Sequence, residues 1–337
     1  MDTGKCLSPR PSPGLEDHTL RRLPGATSSL PCDCCHAVAA WEYLFSESGL
    51  DLGRCSECGL HYVAQMPSPG VHMTEMEAGH FAGGAFVGTN AKQHLHSESV
   101  RHAEFETHVQ TVRQFAPSGK WLDIGCGTGT LITLAKRSGR EVEGIELTPD
   151  RRAVARQATG APIHDRPIEL LDFVPESFSV VTLINVFSHL ASPSETLAHI
   201  RRVLSPGGVI LLRTAEIGPH VKKHHIYTWG LGDHLYFLGE NTIETYATKL
   251  GFRLVSRERT WLPATIYSRE WFEMKGRSRI RNWIKTTIIH TPGALPLLRS
   301  YMLSVRQAGN PIYTSDLVLR KFQTPPNYVV APIPAGR

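Results

Sequence analysis

The stretch WLDIGCGTGTL, residues 121–131, restricts the fold of this chain more than any other segment. An apolar run ends at Asp123, and glycine then occupies positions 125, 127 and 129. Glycine lets the backbone adopt positive φ and pass close to a ligand. Leu131, Leu134 and Ala135 follow at helical spacing, so the stretch predicts a strand, a tight turn and a helix. Ligands of open α/β sheets bind at such turns, beyond the carboxyl ends of the strands.

Alternating strand and helix patterns continue from about residue 97 to residue 322. This alternation predicts an α/β, doubly wound, Rossmann-like sheet. SPGG is interpreted as a tight turn before the fifth strand, and a helical insertion is expected at 265–310, before the last strand. Seven strands are predicted, at KWLDI, EVEGIEL, APIH, SVVTLIN, VILLRT, FRLVSRE and SDLVLRKF.

The remaining chain divides by composition. Residues 1–30 predict a disordered tail, 31–66 a small cysteine-rich domain, 67–96 a linker and 323–337 a C-terminal tail. The balance of 36 Lys and Arg against 31 Asp and Glu is too even to indicate nucleic acid as a partner. No apolar run is long enough to span a bilayer, and the N-terminus has no signal-peptide pattern, so a cytoplasmic location is expected.

Four cysteines have the spacing of a zinc ribbon. Cys32, Cys35, Cys55 and Cys58 form the pattern C-x2-C-x19-C-x2-C, in which two thiolate knuckles complete a tetrahedron. A closed site of four thiolates leaves no position for water, so the predicted Zn²⁺ is structural. Cys34, His36 and His61 are lower-ranked ligands, and a redox or disulfide role is the alternative.

Carboxylates end three successive predicted strands. Asp123 would repel a phosphate but suits an ammonium group, and residue 130 is Thr, so the turn does not match the dinucleotide pattern G-x-G-x-x-G. Glu146 can accept from both hydroxyls of a ribose, and Asp165 can accept from an adenine amino group. The predicted ligand is therefore a nucleoside with a positively charged tail.

These motifs resemble those of class I S-adenosylmethionine-dependent methyltransferases. LDIGCGTG is similar to the first motif of the family, GIEL to its ribose motif, and LSPGGVILL to the segment that closes its central sheet. The ribbon sequence RCSECGLHYVAQMPSP is similar to one that precedes this domain in a bacterial subgroup that includes sugar and natural-product methyltransferases. The resemblance implies a cofactor site formed by Asp123, Gly125, Cys126, Gly127, Gly129, Glu146, Leu147, Asp165 and Asn185.

Two histidines are candidates for the base that removes a proton from the methyl acceptor. His189 follows the fourth strand, in a segment that resembles a family stretch beside the transferred methyl group. His234 lies in DHLYF, which resembles another stretch facing the pocket, while His224 and His225 are weaker candidates. An imidazole titrates near neutrality and suits this role. Alternatively, these side chains bind a metal, pack, cap a helix or contact solvent.

The segment MKGRSRIRNWIK, residues 274–285, allows two interpretations. It is either a basic amphipathic helix that contacts an acidic substrate, a carrier protein or a membrane surface, or a helix that packs Ile280, Trp283 and Ile284 on the domain.

The function predicted from the whole sequence is methyl transfer from S-adenosylmethionine to a small or carrier-attached molecule, at oxygen, nitrogen or carbon. One alternative is an RNA methyltransferase that grips RNA with its ribbon. However, the ribbon has few basic residues and only Trp41 and Tyr62 for stacking. Another alternative is a cofactor-binding protein without catalysis. The oligomeric state is left open.

Overall fold

The computed structural model describes residues 30–67, 102–223, 229–260, 279–307 and 312–322. The predicted tails and linker fall almost entirely outside these ranges, as do residues 224–228, which include His224 and His225. Within the described ranges, no helix combines the length and apolarity that crossing a bilayer requires.

The described residues form strands and helices in alternation over most of the chain. The strands are β1 (Trp41–Glu47), β2 (Leu50–Cys55), β3 (His61–Val63), β4 (Trp121–Ile124), β5 (Val142–Ile145), β6 (Ile163–His164), β7 (Phe178–Ile184), β8 (Leu204–Ile217), β9 (Tyr236–Gly239), β10 (Phe252–Thr260) and β11 (Ile312–Lys321). The helices are α1 (His102–Phe115), α2 (Thr130–Arg137), α3 (Pro149–Thr159), α4 (Pro193–Val203), α5 (Thr242–Lys249), α6 (Arg279–His290) and α7 (Ala294–Gln307), with 3-10 turns at Ile168–Leu170 and Phe187–His189.

A parallel sheet forms the centre of the molecule, in the order β6, β5, β4, β7, β8. Strands β5 and β7 flank β4 on opposite sides, so the order of the strands reverses at β4, where ligands bind in such sheets. Apolar residues of α1, α2 and α3 pack on one face of the sheet, and those of α4 and α5 pack on the other. The predicted doubly wound Rossmann-like fold is confirmed.

The sheet has eleven strands rather than the seven predicted, because β8 is longer than its neighbour. Pairing with β7 ends at Arg213, and β8 continues to Ile217, where its last residues pair with β9. Strand β9 pairs with β3, and β3 leads through β2 to β1. The cysteine-rich segment is therefore part of the central sheet and not a separate attachment.

The segment SPGG lies inside β8 and does not form the turn expected before it. Leu204 already pairs with Phe178, and the register shifts before Val209 pairs with Val180. Gly207 has φ 76°, a conformation that a side chain disfavours. The glycines therefore form a bulge in a continuous strand.

Strands β10 and β11 close the opposite side of the sheet, where β11 pairs antiparallel with both β10 and β8. In the sequence, helices α6 and α7 come between β10 and β11. The two helices pack against each other. They fall within the predicted helical insertion, 265–310, of which residues 265–278 and 308–310 lie outside the described ranges.

Asp33, between the first two cysteines of the ribbon, fastens the ribbon to two helices of the larger domain. Its Oδ1 accepts from Ser192 Oγ at 2.8 Å and from Ser194 Oγ at 3.0 Å. Its Oδ2 accepts from the Ser194 amide at 2.9 Å and from the Tyr246 hydroxyl at 2.6 Å. Burial, followed by the nearby Asp33 charge, raises the pKa of Tyr246, which keeps its hydroxyl protonated as a donor.

Replacing Asp33 by Ala should destabilise the protein by about 3 kcal/mol, because hydrogen bonds to a charged group contribute ~1.5 to 3 kcal/mol and the buried Tyr246 hydroxyl loses its acceptor. Urea unfolding followed by circular dichroism measures this loss. Glu57→Ala is the matched control, because Glu57 is an exposed residue of the second cysteine knuckle. Equal stability of the two variants would contradict this account of ribbon docking.

Candidate active site and metal centre

The glycine turn follows β4 and lies where the sequence predicts it. Gly125, Gly127 and Gly129 have φ values of 70°, 58° and 88°, all in the left-handed region. A Cβ at Gly125 would overlap the side chain of Val186, which follows β7. The turn therefore brings bare backbone against the segment after β7, and only glycine fits there.

Glu146 lies beside this turn, directly after β5. Its carboxylate accepts from the Gly127 amide and from the Thr148 amide, each at 2.9 Å. Because β4 and β5 are parallel with Ile124 opposite Ile145, Asp123 and Glu146 end neighbouring strands at the same edge. Each carboxylate oxygen has two lone pairs, so Glu146 retains acceptor capacity for hydroxyl donors.

Asp123 is more enclosed than the sequence suggests. Its side chain is 2% exposed, and its Oδ1 accepts from Thr182 Oγ1 at 2.6 Å. The same Thr182 oxygen accepts from the Trp121 indole at 2.9 Å. Asp123 therefore links β4 to β7 beneath the glycine turn, and its predicted contact with a ligand ammonium stays a prediction.

The other predicted cofactor residues occupy the same edge of the sheet, with different exposure. Asp165 is exposed and follows β6, next to Glu146 in register. Asn185 is exposed, with φ 59°, and Leu147 is half-buried. Cys126 is buried, and its sulfur lies over Gly144, so its side chain belongs to the core and only its backbone lines the turn.

His189 and His234, predicted independently of one another, face each other in the structure. Their ring centroids are 4.7 Å apart, and both side chains are half-buried. His189 Nδ1 lies 2.7 Å from the Asp233 carbonyl, and His234 Nδ1 lies 2.9 Å from the Trp229 carbonyl. Since a carbonyl oxygen only accepts, Nδ1 of each ring carries the proton, and Nε2 of each neutral ring has the lone pair.

The histidine pair is joined to the glycine turn through a short piece of chain. Val186, which packs against Gly125, accepts from the His189 amide at 2.9 Å through its carbonyl. His189 ends the 3-10 turn Phe187–His189 that follows. The two groups of predicted residues therefore line the same edge of the sheet.

Glu47, at the end of β1, is a residue that the sequence analysis missed. Its carboxylate accepts from the Trp229 amide at 3.0 Å and from the Leu231 amide at 3.4 Å. The turn that it holds, residues 229–234, supplies both carbonyls that bind the histidines. The ring of Phe45 also packs on Trp229, with centroids 5.1 Å apart. A glutamate beside a hairpin turn has no sequence signal that could have revealed this contact.

The four predicted metal ligands come together at the ribbon. Their sulfurs all lie within 4.8 Å of one another, and the Cys32–Cys58 and Cys35–Cys55 pairs are 3.5 Å apart. Zinc–sulfur bonds of about 2.3 Å in a tetrahedron place sulfurs about 3.8 Å apart, so the cluster fits Zn²⁺. All four residues are free cysteines, which excludes the disulfide alternative in this structure.

The surroundings of Cys32 and Cys55 by themselves disfavour the thiolate form. A hydrogen bond to Cys58, together with burial, raises the pKa of the Cys32 thiol, and burial raises the pKa of Cys55 to about 11. A bound dication offsets this effect because it favours the thiolate form. Among the described residues, Cys34, His36 and His61 are not part of the cluster. His61 is buried in β3, and burial, followed by the charge of Arg54, lowers its pKa to about 3.

Comparison with known proteins identifies the domain that carries this edge. A protein-family model described as a methyltransferase domain matches residues 100–257. The match spans a little under half of the chain, from just before α1 into β10. The sequence-based resemblance to class I S-adenosylmethionine-dependent methyltransferases is therefore confirmed.

The methyltransferase domain is similar to that of curated bacterial proteins. The ubiquinone biosynthesis O-methyltransferase of Pseudomonas aeruginosa (strain LESB58) is 32% identical over 106 residues, which cover 30% of this chain and 46% of that protein. The protein of the same description from Actinobacillus pleuropneumoniae is 32% identical over 105 residues, with 28% and 45% covered. The chain thus matches less than half the length of these relatives.

Two solved structures are similar to this chain at lower identity. The Haemonchus contortus phosphoethanolamine N-methyltransferase 2, in complex with S-adenosyl-L-methionine, has a TM-score of 0.48 and 23% identity, over 64% of this chain and 53% of that one. Geranyl diphosphate C-methyltransferase from Streptomyces coelicolor has a TM-score of 0.49 and 11% identity, over 65% of this chain and 81% of that one.

Metal analysis of the purified protein should find about one zinc per chain, because four thiolates complete one tetrahedral site. Cys55→Ser should lose the metal and unfold the ribbon. Cys34→Ser is the matched control, since Cys34 is buried beside the site but is not one of the four ligands. A metal-free protein of undiminished stability, or equal zinc in both variants, would rule out the zinc site.

Proposed function

We propose that this protein transfers a methyl group from S-adenosylmethionine to a hydroxyl group of a small or carrier-attached molecule. The observation that carries the proposal is the arrangement of Glu146, the glycine turn and two Nδ1-protonated histidines along one edge of the sheet. The curated relatives are O-methyltransferases by description, which favours oxygen as the acceptor atom among the three that the sequence allows.

The residues of the turn fit the proposed cofactor. The bare backbone of Gly125, Gly127 and Gly129 leaves room for an adenosyl-methionine, and Glu146 offers carboxylate oxygens to the ribose hydroxyls. Asp165 would accept from the adenine amino group, and Asp123, Cys126, Leu147 and Asn185 complete the site. When bound, the cofactor supplies a methyl group on a positively charged sulfur.

A hydroxyl acceptor needs a base, because its oxygen attacks more readily as the proton leaves. In the neutral form, Nε2 of His189 and of His234 has the lone pair that can take this proton, since each Nδ1–H is held by a backbone carbonyl.

Glu47 acts on the acceptor site as a positioning residue in this proposal. It holds the amides of Trp229 and Leu231, and the carbonyls of Trp229 and Asp233 hold the two imidazoles. Its carboxylate therefore orients both rings without touching the acceptor. Such supporting contacts keep catalytic groups in the geometry that reaction requires.

Two alternatives remain distinguishable from this proposal. RNA methylation has no observation in its favour among the described residues, and a salt-sensitive gel shift with bulk RNA would revive it. A non-catalytic cofactor-binding protein would bind S-adenosylmethionine without forming S-adenosylhomocysteine when given phenols such as catechol or a cell extract. Carrier attachment of the acceptor and a cytoplasmic location are further parts of the proposal that await measurement.

Glu146→Ala should weaken binding of S-adenosylmethionine at least tenfold, because hydrogen bonds to a charged group are worth ~1.5 to 3 kcal/mol each and two ribose contacts are lost. Isothermal titration calorimetry measures the dissociation constant. Glu146→Gln should be intermediate, because the amide keeps one acceptor oxygen for the Gly127 amide. Glu141→Ala, an exposed residue before β5, is the control. Unchanged affinity in Glu146→Ala would refute the assignment.

His234→Asn and His189→Asn should each lower the rate of S-adenosylhomocysteine formation, by ~10²-fold or more for the residue that is the base. Asparagine can place its amide N–H near the position of Nδ1 and keep the bond to the carbonyl, but it has no counterpart of Nε2. Cofactor affinity, measured by calorimetry, should stay within about twofold. Wild-type rates in both variants would contradict a role for either imidazole.

Glu47→Gln provides a second measurement on the same site. This variant should slow S-adenosylhomocysteine formation less than the histidine variants do. The pH profile of the rate should also shift, because the turn that holds both imidazoles is less constrained. Glu42→Gln is the control, since Glu42 lies on the same strand with an exposed side chain. A purely structural role for Glu47 would change stability and leave the pH profile where it is.

A further inference from the structure

Helices α6 and α7 expose large apolar side chains to solvent. On α6, Ile280, Trp283 and Ile284 are 73%, 69% and 46% exposed, and their spacing puts them on one face of the helix. On α7, Leu297 and Tyr301 are 73% and 64% exposed, one turn apart. The interpretation that the α6 residues pack on the domain is therefore wrong. Contiguous exposed apolar residues of this size indicate an interaction surface.

The hairpin formed by α6 and α7, together with the segments that flank it, contains basic residues but no acidic ones. Between Glu273 and Asp316 the sequence contains no acidic residue. Over the same stretch, the basic residues are Lys275, Arg277, Arg279, Arg281, Lys285, Arg299 and Arg306. Basic residues interleaved with Trp, Ile and Leu on exposed helices are typical of segments that lie in the interface of an anionic membrane.

The hairpin leaves the sheet at the edge that carries the candidate active site. Strand β11 begins at Ile312, which pairs with Ile217 at the end of β8, and β10 ends at Thr260, opposite Thr314. The parallel strands β4, β5, β7 and β8 all end at this same edge. A partner bound to the hairpin would therefore lie near the opening of the candidate active site.

We propose that the hairpin of α6 and α7, residues 279–307, docks on the surface of an anionic lipid bilayer. Its apolar stripes enter the headgroup boundary, and its cations contact lipid phosphates. A second copy of the chain is a poorer occupant, because a symmetric dimer through this face would bring like charges together. An acidic protein would satisfy the charges, but Trp283 between two exposed isoleucines is more typical of a membrane interface. The proposal does not depend on methyl transfer.

Co-sedimentation of the full chain with lipid vesicles tests this proposal. The protein should sediment with vesicles of phosphatidylcholine and phosphatidylglycerol, and at least about tenfold less with phosphatidylcholine alone, because the cations contribute to binding. Binding to the anionic vesicles should fall as salt is raised. Failure to sediment with anionic vesicles at low salt would overturn the proposal.

Two sets of variants show whether the hairpin is the docking surface. Trp283→Ser with Ile284→Ser should lower vesicle partitioning about tenfold or more, because two large apolar side chains no longer enter the interface. Lys285→Glu with Arg299→Glu should lower it and flatten its salt dependence. Tyr43→Ser with Val174→Ser is the matched control, since both are comparably exposed but lie outside the hairpin.

The outcomes separate this proposal from its rivals. Equal sedimentation of the hairpin variants and the control would overturn it. So would analytical ultracentrifugation showing a dimer that the Trp283 and Ile284 variants dissociate. Circular dichroism on the same preparations verifies that the variants are folded. Failure of the proposed methyltransferase function would appear as absent S-adenosylhomocysteine formation and would leave vesicle binding unchanged.

Discussion

Backbone pairing between β3 and β9 is the contact on which the arrangement of the whole molecule depends. It joins the ribbon to the central sheet, because β9 in turn pairs with the last residues of β8. Without the stretch of β8 that extends beyond β7, β9 would have no edge to join. The four cysteines cluster within the ribbon, and strand pairing gives the ribbon a fixed position beside the candidate active site.

This position would let the cysteine-rich ribbon influence the proposed acceptor site. Glu47 and Phe45 of β1 hold the turn of residues 229–234, and that turn holds His189 and His234 by their Nδ1 protons. The ribbon thus sets which nitrogen of each imidazole keeps the lone pair. In the proposed reaction, the carbonyls would fix the tautomers before a substrate arrives, so little reorganisation would be needed when an imidazole takes the proton.

Three functional features meet at one edge of the sheet because parallel strands all end there. The glycine turn with Glu146 follows β4 and β5, and the histidine pair follows β7. The α6–α7 hairpin leaves from the strands that close the sheet beside β8. An enzyme docked by this hairpin would have its site near the bilayer surface, where amphipathic acceptors are concentrated.

Much of the cofactor edge could be predicted from the sequence, because its signals are local. Gly125, Gly127 and Gly129 are needed where the backbone has positive φ, and the cysteine pairs are spaced as each knuckle requires. The burial of Asp123 could not be predicted, since it depends on Thr182 of a strand that is distant in sequence. Likewise, the expected turn at SPGG is a bulge because β7 continues the pairing on its side.

The sequence by itself determined the doubly wound fold, the carboxylates at the strand ends and the four thiols, because periodicity and residue spacing act over a few neighbouring residues. Only the tertiary structure decided that the sheet runs on into the ribbon, that His189 faces His234, and that Trp283 lies exposed. The first two depend on contacts between distant segments, such as Glu47 with Trp229, 182 residues apart. Such contacts form only when the whole chain has folded, so no local pattern encodes them.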